Sequence, residues 1–421
     1  SPKLGNPWTW FYYDIKGIQG YKEGKSSADE IGVEAIDERT LRIYGEGGAI
    51  PHLPAIMAYM AAVPAPRHKA ESNPEHWADT AEGFVSSGPM RLLEWKHNQR
   101  LEWDANPYYN GPHKVGIQKL VQLIGAPAVG WFNSWLNKEI DYIPRLEPQE
   151  LVQVTNDIEL EKYLHSFNNF QTSYLSLDCL KPPFDNLLLR RALSHAIDRT
   201  PFCEKVMLKT RIPAFSMLPP DFPAHNPELK SVQEFNVEKA RALLAEAGYP
   251  NGIDANGNRL VLEMFSRGRD VTLEYIKDQW ERYLDISVNL QILEGSVWGA
   301  RRVAHSMPIY VGEYEYDYLD PAKLMTRLWK SSSANVSPRH AWKNDKFDEL
   351  VALAGREIDE AKRFSIYSDA ERVLVEDVGG IFLTHMVIHQ VWHPYLTGFE
   401  PDKNGNTVFR YLDISRFQMY L

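Results

Sequence analysis

A chain of 421 residues is long enough for two or three domains with sizeable cores, and its 44% apolar and 24% charged content is that of a globular protein. A formal net charge of −10 disfavours nucleic acid or an anionic membrane surface as partner, because like charges repel. No run of about 18 apolar residues occurs, so no transmembrane helix is expected. The opening SPKLGNPWTWFYYD lacks the basic and apolar regions of a signal peptide, so any targeting segment of an exported form is expected to have been removed.

In chain order, Thr40 to Tyr44 reads as a strand and His52 to Ala61 as a helix, stopped by Pro64 and Pro66. Residues 67–145 read as antiparallel β structure, with strands at Met90–Trp95, Arg100–Trp103 and Lys119–Ile124. A turn falls near His97-Asn98. A helix over Val129–Lys138 and a short strand over Ile140–Ile143 follow. Tyr174 to Arg199, YLSLDCLKPPFDNLLLRRALSHAIDR, reads as a strand, a Pro-Pro turn and a helix capped by Asp185. Its apolar stripe is Leu189, Leu193, Ala196 and Ile197. Thr200 is placed as the cap of a second helix, with Pro201 at its first position. Residues 211–234 hold five prolines and read as a long ordered loop. Asn236 caps the next helix, and Gly248 with Pro250 stops it. A strand at Leu260–Ser266, a helix face at Leu273, Ile276, Trp280 and Leu284, and a strand at Ile286–Leu293 make a βαβ unit. Helices near Lys346–Ile358 and Glu360–Asp377, a strand over Gly380–His393 and a short closing section, 394–421, complete the chain.

The densest chemistry is YVGEYEYDYLDP, Tyr310 to Pro321. In an extended chain Glu313, Glu315 and Asp317 share one face, and Tyr314, Tyr316 and Tyr318 the other. Three like charges on one face need solvent, a neighbouring Lys or Arg, or a bound cation. The same carboxylates meet the spacing of a glycosidase pair in principle. His385, His389 and His393 are four apart; on a strand that spacing spans roughly 13 Å, too far for one metal ion. No metal site and no cofactor are expected. Trp298, at a strand–helix junction, fits either a cleft or the core. Cys179 and Cys203 fit either a bridge or two buried thiols.

The wording of Tyr174–Arg199 resembles the "PPF-D-x-x-x-R-x-A-x-x-x-A-I-D-R" signature of family 5 bacterial extracellular solute-binding proteins, which feed peptides, nickel complexes or oligosaccharides to ABC importers. Five further segments resemble that family in the right order: GFVSSGPMRLLEW at 83–95, ANPYYNG at 105–111, KEIDYI at 138–143, NVEKARALLAEAGYPNG at 236–252 and YLTGFEPD at 395–402. The segment around Asp317 is similar to the family's "G-W-x-x-D-Y-x-x-P" element, with Glu313 and Tyr314 where Gly-Trp is usual. Asp178 and Asp285 stand where the family favours Asn and Gly.

The resemblance implies an α/β, two-lobed fold of the periplasmic-binding-protein type with an extra small subdomain, and with the N-terminal part of lobe one missing from this chain. The expected division is 1–65 as the remnant of the small lobe-one subdomain, 66–205 with 388–421 as lobe one, and 206–387 as lobe two. It implies a non-enzymatic, monomeric receptor, periplasmic or extracellular, with or without a lipid anchor. Such a receptor closes on its solute by hinges near Cys203–Arg211 and Met386–Trp392 and delivers it to an ABC permease. A dipeptide or oligopeptide is the leading ligand, since the family's Asp, here Asp317, takes the α-ammonium group. Tyr314, Glu313, Tyr316 and Trp298 complete the expected site. An oligosaccharide ligand, a metal chelate and a carbohydrate-active hydrolase are the alternatives.

Overall fold

The computed structural model describes residues 9–59, 62–112, 116–125, 130–332, 341–398 and the 413–414 strand. The chain packs into two units. The first comprises 1–62, 170–206 and 211–386; the second comprises 63–169, 207–210 and 387–421.

In the second unit, Met90–Lys96, Arg100–Ala105 and Lys119–Leu123 form the expected antiparallel sheet. Its surface carries cross-strand ion pairs, Arg91 with Asp104 at 2.7 Å and Lys119 with Glu102 at 2.7 Å. A core of Phe132, Trp135, Ile143, Leu146, Leu151, Val154 and Val391 lies under the Trp131–Leu136 and Pro148–Thr155 helices.

The larger core belongs to the first unit. Its sheet runs in the order Ser287–Ile292, Val261–Ser266, Ile309–Glu315, Leu164–Leu177, Gly380–Trp392. The first two strands are parallel and joined by the Val271–Leu284 helix, which is the βαβ unit the apolar periodicity indicates. That helix buries Leu273, Ile276, Trp280 and Leu284, the stripe legible in the sequence. Ile309–Glu315 then pairs antiparallel with Leu164–Leu177, placing Glu313 opposite Ser173 and Glu315 opposite Gln171.

Two caps differ from expectation by one or two residues. Asn186, not Asp185, caps the Leu187–His195 helix: its Oδ1 accepts from the Leu188 and Leu189 amides at 3.0 and 3.4 Å. Asp198, not Thr200, caps the next turn by accepting from the Thr200 amide at 3.3 Å. Both segments offer two capping side chains close together, and the one with extended backbone just before the first helical turn wins.

The two arginines of the Tyr174–Arg199 run explain its spelling. Arg190 is buried and donates to the carbonyls of Phe184, Asp377 and Val378 at 2.7, 2.6 and 3.1 Å. Arg199 is buried too, and donates to the carbonyls of Phe382, Gln233 and Ile197 at 2.6, 2.9 and 3.1 Å. Burial lowers its pKa to about 9, still charged at neutral pH. Arg190 also has the Asp377 carboxylate at 3.3 Å, whereas Arg199 is held by carbonyl dipoles; together they tie this part of the chain to the loop before Gly380 and to the strand after it.

Residues 170–205 pack with 211–386, because the second half of the Leu164–Leu177 strand pairs with Ile309–Glu315 and the Leu187–His195 helix packs on Val237–Glu246. The proline-rich stretch 211–234 stays within the first unit. Cys179 and Cys203 are both buried free thiols. Of the closing section only 394–398 and the Asp413–Ile414 strand are described, so most of YLTGFEPD lies outside the described residues.

Asp285 ends its helix in the left-handed region at φ 55°. That is the physical reason a glycine suits this position. Its carbonyl presses on Gly252, itself at φ +75°, where an added Cβ would lie 2.3 Å from that oxygen. Gly252→Ala is therefore expected to cost about 1–3 kcal/mol, read as a lower urea midpoint with unchanged m-value.

Candidate functional site

Strand alternation places the acidic segment as expected up to Glu315. Glu313 and Glu315 are exposed, while Tyr316 and Tyr318 are buried on the other side. Glu313 has an arginine beside it: Arg211 Nη2 lies 3.0 Å from its Oε1. Gln171 Nε2 lies 3.5 Å from the other oxygen.

Ladder pairing with the neighbouring strand ends at Glu315, and the chain bends. The bend turns Asp317, half-buried, back toward Tyr314, whose hydroxyl donates to Oδ2 at 3.1 Å. Tyr59 donates to Oδ1 at 3.2 Å. One oxygen is thus oriented by the strand itself and the other by a residue 258 positions away. Burial raises the Tyr59 pKa to about 12, helped by the neighbouring Asp317 charge, so the phenol stays a donor. Tyr59 stands in an aromatic cluster with Phe11 at 4.8 Å and Tyr318 at 6.4 Å between ring centroids.

Two of the expected residues lie elsewhere. Tyr316 is core: it packs against Phe222 at 4.2 Å, and its hydroxyl donates to the Met217 carbonyl at 2.7 Å. Burial drives its pKa well above the usual value. Trp298 sits on the Gly295–Val303 helix and packs edge-on to Tyr310, in a small cluster with Phe265 and Met307. The structure therefore joins Asp317 with Tyr314, adds Tyr59, and places Trp298 in a different cluster.

A bend of this kind needs an anchor. Asp320, three residues on, accepts from the Ala322 amide at 2.9 Å and from Arg363 Nη1 at 2.6 Å. Both side chains of that ion pair are only 4% exposed, so it is a buried pair rather than a surface one. Nearby, Asp14 accepts from Lys323 and lies 3.0 Å from His52 Nε2. Burial alone would raise the Asp14 pKa, but His52 and Lys323 overcome it and hold the carboxyl far below the usual range.

The three histidines of the Gly380–His393 segment have separate partners. His385 Nδ1 meets the Thr172 hydroxyl at 2.9 Å; His389 meets Ser166 at 2.8 Å and the Lys209 carbonyl at 3.0 Å; His393 stacks on Trp135. Among the described residues no group of three His, Cys, Asp or Glu side chains is placed to hold a metal ion. No helix there is long and apolar enough to cross a membrane.

Residues 2–336 match the family described as bacterial extracellular solute-binding proteins, family 5 middle. The chain belongs to this family. It is a solute-binding protein, which leaves the hydrolase alternative without support. It is 26% identical over 408 residues to the probable deoxycholate-binding periplasmic protein YgiS of Escherichia coli, covering 95% of this chain and 74% of the relative. It is 25% identical over 413 residues to the periplasmic oligopeptide-binding protein OppA of Salmonella typhimurium, covering 95% and 73%. Among solved structures it is similar to a periplasmic oligopeptide-binding protein of an oligopeptide ABC transporter from Borrelia burgdorferi. The TM-score is 0.72 and the identity 26%, over 98% of this chain and 81% of that one. The two-lobed periplasmic-binding fold expected from the resemblance is thereby established.

Proposed function

We propose that this family 5 protein captures dipeptides or oligopeptides outside the cytoplasm and, as a monomer, hands them to the permease of an ABC importer. Asp317 carries the reading. Its carboxylate is half-buried, and two hydroxyl donors fix its direction. An ammonium group leaving water needs such a partner. Tyr314 and Tyr59 flank the α-ammonium, Glu313 with Arg211 lies beside it, and Tyr316 supports Tyr314 from the core at 5.6 Å between rings. A ligand whose only charge is a carboxylate, such as deoxycholate, would meet Asp317 with the wrong sign. Closure about hinges near Cys203–Arg211 and Met386–Trp392 is supported by the chain's passage between its two units at 206–211 and 386–387; the 62–63 and 169–170 passages add two further segments.

The test is calorimetric titration of trialanine and its N-acetyl form into the wild type and Asp317→Asn. A charge-assisted hydrogen bond at a half-buried site makes N-acetylation weaken wild-type binding by about tenfold to a hundredfold. Asp317→Asn is expected to weaken the free peptide similarly and to bind both forms alike. Equal wild-type affinity for the two peptides overturns the ammonium role; no binding of either peptide overturns the ligand class.

A further inference from the structure

Met207 to Thr210 belong to the second unit, while the residues on either side of them belong to the first. A π-helix, Phe202–Val206, leads into them. π-Helical turns are rare in proteins and recur at functional sites. The four residues then close a tight turn: the Thr210 amide donates to the Met207 carbonyl at 3.0 Å, and the Thr210 hydroxyl to the same oxygen at 2.6 Å.

The two central residues suit this turn badly. Leu208 and Lys209 sit at φ 48° and 64°. Both signs are those of a type I′ turn, whose central positions favour Asn and Gly. A side chain with a Cβ is strained in this region, and here two stand in succession. Such a turn needs a hold from outside. The Lys209 carbonyl lies 3.0 Å from His389 Nε2. A carbonyl only accepts, so Nε2 carries the proton, and Nδ1 is left to accept from the Ser166 hydroxyl at 2.8 Å. The His389 ring is buried and its strand is fixed on both sides. Its carbonyl accepts from the Leu146 amide at 2.8 Å, and the Val387 amide donates to the Thr210 carbonyl at 3.0 Å. Ser166 and His389 also lie within a few residues of two other passages between the units, 169–170 and 386–387.

We infer that His389 is a positioning residue, a latch that holds the strained Met207–Thr210 turn, and that the hinge moves when this latch lets go. Freed from the imidazole, Leu208 and Lys209 return to negative φ, which gives the joint two discrete arrangements. The latch itself stands on the geometry of the second unit; its part in solute capture rests on the peptide reading above.

Two measurements on the whole chain test this. In urea unfolding, Leu208→Gly and Lys209→Gly are each expected to favour the folded state by about fivefold, since glycine adopts positive φ without strain. In a His389→Ala background those gains should vanish, because the unlatched turn has already relaxed. No gain in the wild type, or an equal gain without His389, overturns the latch. Trialanine with a fluorophore on its carboxyl end then gives binding rates by stopped-flow anisotropy. Leu208→Gly and His389→Ala are each expected to speed both association and release by about fivefold, with Kd changed by less than about threefold. A residue that only supports the fold would lower stability and leave both rates alone. Wild-type rates in both variants overturn the hinge role while the peptide reading stands. Labelled trialanine that fails to bind overturns the peptide reading and the hinge role together, and the unfolding cycle alone then decides the latch.

Discussion

Asp320→Ala is expected to lower the stability of the first unit by about 3–5 kcal/mol, the range found when one partner of a buried ion pair is removed. The partner left behind is Arg363, 4% exposed, which loses the carboxylate 2.6 Å from its Nη1. Its Nε already lacks a hydrogen-bond partner, so the stranded guanidinium has little to fall back on. The Ala322 amide loses its acceptor as well, which loosens the turn just past Asp317. Urea unfolding should show the loss as a lower midpoint at unchanged slope. The double variant Asp320→Leu with Arg363→Met should recover much of it, because replacing both charges removes the desolvation penalty together with the attraction. A single variant as stable as the wild type would mean that water reaches Arg363.

The position of that ion pair shows what a linear reading can and cannot supply. Asp317, Tyr318 and Pro321 were visible as a motif, and alternation told Glu313 and Glu315 from the tyrosines. Alternation holds only while strand pairing holds, and pairing stops at Glu315. Past it, Asp317 turns to Tyr314, its opposite in the alternating scheme. Nor does alternation say which face is core, so Tyr316 was expected at the ligand and lies instead against Phe222 and Met217. Tyr59 and Arg363 reach this bend across 258 and 43 positions, and no local signal encodes such contacts.

The elements themselves were legible wherever burial is one-sided. The Val271–Leu284 and Val237–Glu246 helices carry both a stripe and a cap, and Asn236 caps the second as read, at 2.9 Å from the Lys239 amide. The boundary between the units was harder. Leu164–Leu177 is one unbroken strand of 14 residues that passes from one unit to the other at Asn169–Phe170, with no Gly or Pro to mark it. The continuity that suits a strand leaves no compositional trace of a boundary.

Stability against pH is the second large effect, and it turns on Glu371. This carboxyl is fully buried; burial raises its pKa to about 8, against the hydrogen bonds it accepts from the Leu218 amide and its neighbours. Leu218 N lies 2.6 Å from Oε1, while Oε2 has no partner. Folded chains therefore keep a proton that unfolded chains release above the ordinary glutamate value of about 4.3. The contribution is whole below that value, declines as pH rises, and is gone above about 8. One proton sets a limiting slope of about 1.4 kcal/mol per pH unit. His385 works in the opposite sense: burial, with His225 nearby, lowers its pKa to about 3. Unfolded chains then bind the extra proton between about 3 and the ordinary histidine value of about 6.5, so stability rises with pH there. His195, His389 and His393 are shifted the same way, mainly by burial. The two trends oppose each other at mildly acid pH, and only the Glu371 decline remains from about 6.5 to 8. Glu371→Gln, uncharged at every pH, should flatten the melting temperature across that interval and be the more stable form above it. A Glu371→Gln protein that still loses stability from pH 6.5 to 8 with the wild-type slope would assign the decline to another group.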